Sequence, residues 1–154
     1  LKAARPAPRS SLPAALIALY RATEYRATLA GPPGGGSLIL RIDEYCAPLS
    51  RLLAASGCQC AAFITAWNPR GARLDPAENR SAARRLRRRL ARFVPAGHIF
   101  KGAGCDPSGV WPAEASLLTL GLGLEMAQAL GREFRQNAIV WAGPDAIPRL
   151  ILLR

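Results

Sequence analysis

Along the chain the spacing of apolar positions changes period repeatedly, and each change marks an element boundary. Leu12, Leu16, Leu19 and Tyr20 recur at helical spacing, with Ser11 placed to cap and Pro13 suited to a first turn, which predicts a helix over about 13–23. Glycines around 31–36 end that pattern, and Leu38-Ile39-Leu40-Arg41-Ile42 follows as an apolar run of strand length. Leu49, Leu52 and Leu53 form one face of a second helix over about 48–56, with Gly57 where a left-handed residue stops a helix. A strand is predicted over about 60–66. Asp75-Pro76-Ala77-Glu78 supplies a cap, a first-turn proline and an acidic first turn, which opens a third helix running to about 93. The remainder reads as a short strand near 98–101, a loop over 102–112, a strand over 117–122, a helix over 124–134, and apolar runs at 138–142 and 150–153.

Strands alternating with helices predict an α/β fold in one domain over residues 12–154: a layered sandwich with a mixed, mostly parallel central sheet flanked by helices, its last two strands antiparallel at an edge. Residues 1–11 read as a disordered basic lead. No repeat at a solenoid period is present. No apolar stretch approaches the roughly 20 residues of a membrane helix, so a soluble, cytoplasmic protein without membrane attachment is expected.

Composition supports a self-sufficient core: of 154 residues 50% are hydrophobic and 20% charged, which excludes the disordered class. The net charge of +11 predicts attraction to polyanions, although arginine so far outnumbers lysine, present only as Lys2 and Lys101, that codon bias accounts for part of it. Cys46, Cys58, Cys60 and Cys105 lack the C-x-x-C spacing of a zinc site, and Cys58 and Cys60, alternating at a strand entry, read as small hydrophobes. His98 is the single histidine, which excludes a multi-histidine metal centre. Neither a G-x-G-x-x-G nor a G-x-x-x-x-G-K-[ST] loop occurs, nor a G-x-S-x-G elbow, so no metal and no cofactor is expected.

In open sheets ligands gather beyond the strand ends, so the polar residues there are the candidates. Asn68, extended ahead of Pro69, is a plausible turn former after Thr65-Ala66-Trp67. The glycine-rich segment 102–114 ends in Glu114, where a carboxylate drawn into a cleft would have its pKa raised enough for acid/base work; a glutamate paired with an arginine is the alternative. Gln136 and Asn137 precede an apolar strand and serve either a ligand or neighbouring backbone. On the third helix Ala83, Leu86, Leu90 and Phe93 form a buried stripe, while Arg80, Arg84, Arg85, Arg87, Arg88, Arg89 and Arg92 take the rest of the circumference. Such a face is usually just solvated. Arg84, Arg85, Arg88 and Arg89 are nonetheless candidate phosphate contacts, without the aromatic interleaving or paired helices of a dedicated nucleic-acid reader.

Four segments carry a family resemblance: Tyr20, Thr23 and Tyr25; Phe63-Ile64-Thr65-Ala66-Trp67-Asn68-Pro69 with Glu78-Asn79; Trp111-Pro112-Ala113-Glu114-Ala115-Ser116; and Gln136-Asn137-Ala138-Ile139-Val140-Trp141. With them the chain, from about 19 to 151, resembles an uncharacterised bacterial family, the domain of unknown function 3293. Ala115 stands where that pattern leads one to expect proline and Arg135 where it leads one to expect glycine. The resemblance implies a compact domain and no mechanism. It directs attention to Tyr25, Thr65, Asn68, Asn79, Glu114, Gln136 and Asn137, a set with one carboxylate and no metal cluster. That chemistry suits a binding or acid/base enzyme domain for a polar small molecule, nucleoside-like or sugar-like, with Glu114 catalytic and the others ligand-binding. The alternatives are a nucleic-acid or ribosome-associated binder acting through the arginine helix, and a non-catalytic interaction domain.

Overall fold

The computed structural model describes residues 9–29 and 36–154. Its elements in chain order are α1 (Ala14–Ala22), β1 (Glu24–Thr28), β2 (Ser37–Leu40), α2 (Ala47–Ser56), β3 (Ala61–Thr65), α3 (Pro76–Leu90), β4 (Ile99–Cys105), β5 (Glu114–Leu120), α4 (Leu124–Glu133), β6 (Ala138–Ala142) and β7 (Arg149–Leu152). The seven strands make one curled sheet in the order β2-β1-β4-β5-β3-β6-β7, and every neighbouring pair is antiparallel.

The expectation of a mostly parallel sheet is therefore overturned. Two features of the chain account for it. First, β1/β2, β4/β5 and β6/β7 are each consecutive neighbours, and a link as short as residues 106–113 cannot make the crossover that parallel neighbours need. Second, strands two places apart in an antiparallel sheet run the same way. β3 and β4, joined through α3, flank β5; β5 and β6, joined through α4, flank β3. The helical crossovers thus connect co-directional strands, as the alternation suggested, but another strand fills each gap.

The pattern also concealed β1 and lengthened a loop. Glu24-Tyr25-Arg26-Ala27-Thr28 alternates cleanly, Tyr25 and Ala27 inward, with too few apolar side chains to stand out. Two of the glycines read as loop, Gly102 and Gly104, belong to β4: a Cβ on Gly102 would lie 2.3 Å from the Arg26 carbonyl oxygen, so the close approach of β4 to β1 admits only glycine there. Glu114, expected just before its strand, is the first residue of β5.

Helices cover both faces of the sheet. Leu49 and Leu53 of α2 pack with Leu38, Leu40, Phe63, Leu118, Leu120 and Val140. On the opposite face Leu86 and Leu90 of α3 and Leu130 of α4 pack with Ala62, Ile64, Leu117 and Ile139, the alternate residues of the same strands. The buried stripe of α3 is Asn79, Ala82, Leu86 and Leu90; the expected Ala83 is only half-buried, and Phe93 lies beyond the helix, 43% exposed, with the Arg89 guanidinium 5.7 Å above its ring. Asp75 caps α3 through the Ala77 N–H, and Gly57 ends α2 at φ 69°. Ser11 does not cap α1, whose N-cap is Pro13. Of the expected basic lead, residues 1–8 lie outside the described residues, as do 30–35 of the glycine-rich break; the Ser10 hydroxyl donates to the Arg154 carbonyl and Leu12 is buried. Among the described residues no helix is long and apolar enough to cross a membrane.

Candidate functional site

A cavity of about 210 Å³ opens on the α2 face of the sheet, where Leu16, Leu19 and Tyr20 of α1 close over Phe63, Val140 and Leu150. Its polar end is made where β3 leaves the sheet and β5 enters it. Asn68 sits there in the left-handed region (φ 45°, ψ 65°) rather than extended before Pro69, followed by Arg70 at φ 54° and Gly71 at φ 76°. Asparagine tolerates this backbone better than most residues because its short amide bonds locally.

Those bonds fix the amide's orientation. Asn68 Oδ1 accepts from the Leu74 N–H (3.1 Å) and from Asn79 Nδ2 (2.8 Å), while the Asn68 N–H donates to Asn79 Oδ1 (2.9 Å). With its oxygen engaged twice, Asn68 must turn its NH₂ toward Glu114, and Nδ2 donates to Oε1 at 3.1 Å. Asn79, 2% exposed on α3, is accordingly a positioning residue that never reaches the cavity lining.

Glu114 lines the cavity, and among the described residues it forms no salt bridge, so its partner is an amide and not an arginine. Burial raises its pKa above the ordinary carboxylate value, and the Asn68 amide offsets this in part. Oε2 accepts no hydrogen bond from the described residues. Across from it, the Tyr20 hydroxyl accepts from Asn137 Nδ2 at 3.1 Å, which leaves its own proton to point elsewhere. Burial raises the Tyr20 pKa, and the Glu114 charge pushes it further the same way, so the phenol keeps its proton near neutrality.

The other candidates divide into lining and support. Tyr25 donates to the Tyr20 carbonyl at 2.7 Å and meets Phe63 edge-on, holding the end of α1; burial raises its pKa strongly. Thr65 lines the cavity, but its hydroxyl is used twice, donating to the Ala115 carbonyl (2.7 Å) and accepting from the Trp67 N–H (3.0 Å). Gln136 Nε2 donates to the carbonyls of Trp67 and Phe134, both at 3.2 Å, while Oε1 has no partner among the described residues. Asn137 spends Oδ1 on Arg154. Tyr25, Thr65, Asn68, Glu114, Gln136 and Asn137 thus share one cavity, with Asn79 behind them.

Tyr20 and Trp111, which belong to the family segments but not to the candidate site set, also line the cavity, as does Arg73. Tyr20 was legible as an apolar-face residue, and a tyrosine in that position with a polar tip was the available signal. For the 54%-exposed Trp111 the signal was its place in a family segment, while Arg73 sits in a loop that carries none.

The arginine face of α3 is split. Arg85, Arg88 and Arg89 line a groove against α4 on the sheet's other face, together with Arg70, Arg92, Glu133, Phe134 and Arg135; Arg84 is not part of its lining. The four cysteines are free; Cys58 Sγ lies 3.6 Å from His98 Nδ1 and Cys60 Sγ donates to the Leu122 carbonyl. Among the described residues no three histidine, cysteine, aspartate or glutamate side chains gather to hold a metal.

Residues 64–139 match the family described as protein of unknown function DUF3293, so the chain carries a domain of unknown function 3293 over that stretch. The match contains Thr65, Asn68, Asn79, Glu114, Gln136 and Asn137, while Tyr20 and Tyr25 precede it. No curated protein and no solved structure matches the chain.

Proposed function

We propose that this DUF3293 domain binds a small amphipathic molecule in the α1-covered cavity and acts on it, or holds it, through the Glu114 carboxyl. One observation carries the reading: Asn68, its oxygen engaged twice, fixes one oxygen of a half-buried carboxyl and leaves the other open at the cavity. Satisfied amides held in one orientation are what a site needs to present a group in a fixed position. Burial raises the Glu114 pKa, which suits its carboxyl to acid/base exchange better than an exposed carboxylate. Tyr20 supplies a neutral donor beside it and Gln136 Oε1 an acceptor, while Arg73 at the rim suits an anionic substituent.

Size narrows the ligand. About 210 Å³ is the share of roughly seven waters, enough for one substituted ring and too little for a dinucleotide. Leu16, Leu19, Phe63 and Val140 give that ring an apolar bed, so a nucleobase-like or other monocyclic heterocycle fits better than a fully hydroxylated sugar.

The test is a thermal-shift and NMR screen of monocyclic heterocycles, nucleosides and monosaccharides against the full chain and Leu16→Trp, which fills the cavity. Binders should shift the amide resonances of Asn68, Glu114 and Gln136, raise Tm for the parent and lose at least tenfold in affinity against Leu16→Trp. Binders that leave those resonances unmoved, or bind both proteins equally, overturn the proposal.

A further inference from the structure

The groove on the other face of the sheet has a different chemistry. Its volume, about 1240 Å³, is roughly six times that of the cavity, and it runs between α3 and α4 with the 69–74 segment as one wall. Arg70, Arg85, Arg88, Arg89, Arg92 and Arg135 line it; Glu133 is the single carboxylate among its lining residues. Glu133 pairs with Arg89 at 3.0 Å, and among the described residues no salt bridge is made by the other five arginines. Five uncompensated guanidinium groups facing one concavity repel one another, and a polyanion relieves that repulsion while releasing its own counterions.

We infer that this groove is a track for single-stranded nucleic acid, held by its phosphodiester backbone. The spacing is suitable: Arg85 and Arg88 stand one turn apart on α3 and Arg92 follows two residues beyond its last residue, Leu90, so the three line the groove in succession, enough for two or three phosphates of one strand. The shape selects against a duplex, which helices read by inserting a convex element into its major groove, whereas here the cations lie inside a concavity. The same concavity withholds them from a flat anionic bilayer. Phe134 and Leu74 in the lining give bases an apolar surface to lie against, the companion feature of single-strand grooves. The set differs from the one read along α3, since Arg84 is excluded and Arg70 and Arg135 come from loops.

Fluorescence anisotropy of the full chain with a labelled mixed-sequence 12-nucleotide single strand tests this, with a 12-base-pair duplex and phosphatidylserine vesicles as competing probes. Single-strand binding should weaken with salt at a log–log slope of roughly −2 to −3.5, as three to five neutralised phosphates require. The triple variant Arg85→Glu/Arg88→Glu/Arg92→Glu should lose at least tenfold. Arg80→Glu/Arg84→Glu/Arg87→Glu, the same charge change on α3 at positions outside the groove, should lose less than threefold. Arg70→Ser/Arg135→Gly, on the opposite wall, should weaken binding severalfold without disturbing α3. Equal losses in the two glutamate triples would show attraction to net charge alone and overturn the inference. So would duplex or vesicles binding as tightly as the single strand, or no single-strand binding at low salt.

Discussion

The two concavities lie back to back on one sheet and share their walls. Residues 68–74 present Asn68, Gly71 and Arg73 to the cavity and Pro69, Arg70, Ala72 and Leu74 to the groove; residues 134–137 likewise divide Gln136 and Asn137 from Phe134 and Arg135. The Arg70 N–H donates to the Arg135 carbonyl at 2.7 Å and ties the two walls together. Yet the sides are built on opposite principles. In the cavity the amides of Asn68 and Asn137 and the backbone around them are hydrogen-bonded within the protein, so the geometry around Glu114 is specified before any ligand arrives. In the groove the guanidinium groups are mostly exposed and without carboxylate partners, so charge is specified and geometry is not. Precision belongs to the first and salt-sensitive attraction to the second.

The largest break in that comparison comes from Asn79. Asn79→Ala removes the acceptor for the Asn68 N–H and the donor to Asn68 Oδ1 in a residue 2% exposed, which leaves buried groups unpaired. A loss of about 2–4 kcal/mol is expected in urea unfolding. Arg88→Ala, in the groove, should stay within about 0.5 kcal/mol of the parent. Comparable losses in the two variants would mean that the cavity's hydrogen-bond network is no more built than the groove's charges.

The sequence made most elements legible but not their neighbours. Helix stops and starts were written in local chemistry, as at Asp75-Pro76 and Gly57, and the structure repeats them closely. Sheet order is a long-range property, and alternation cannot say whether a helix returns its strand to an adjacent place or to the next but one. β1 fell below notice because its inward pair is one tyrosine and one alanine. The cavity residues were findable because they sit at strand ends, whichever way the strands run. Their division of labour was not, since only the fold brings Asn79 and Asn68 within 2.9 Å of each other.

The shared wall offers a smaller and oppositely signed effect. Arg135, which stands where the family pattern led to an expectation of glycine, follows α4 at φ 54°, a left-handed backbone that costs a side-chain-bearing residue roughly 1–2 kcal/mol. Glycine relieves that strain but loses more entropy on folding, so Arg135→Gly should gain about 0.5–1 kcal/mol in the same unfolding assay. A destabilised Arg135→Gly would mean that the arginine side chain, and not the backbone, holds the junction between groove and cavity.

The smallest expected effect is also the most specific to the cavity, because it depends on pH. Burial raises the Glu114 pKa in the folded protein above its unfolded value, so between the two values the folded state binds more protons than the unfolded one. Stability therefore falls as pH rises from the ordinary carboxylate value through the folded one, and the penalty is complete above it. Glu114→Gln keeps an acceptor for Asn68 Nδ2 without ever ionising, so it escapes the penalty. Its Tm should exceed the parent's at pH 7–8, and the gap should close as pH drops below the ordinary carboxylate range, where both proteins are neutral at this position. The size is modest because Glu114 is half-buried and solvent screens its charge. No groove variant should show this pattern, since each of them leaves the Glu114 carboxyl in place. A pH-independent gap would assign the gain to packing and remove the raised carboxyl from the case for proton exchange.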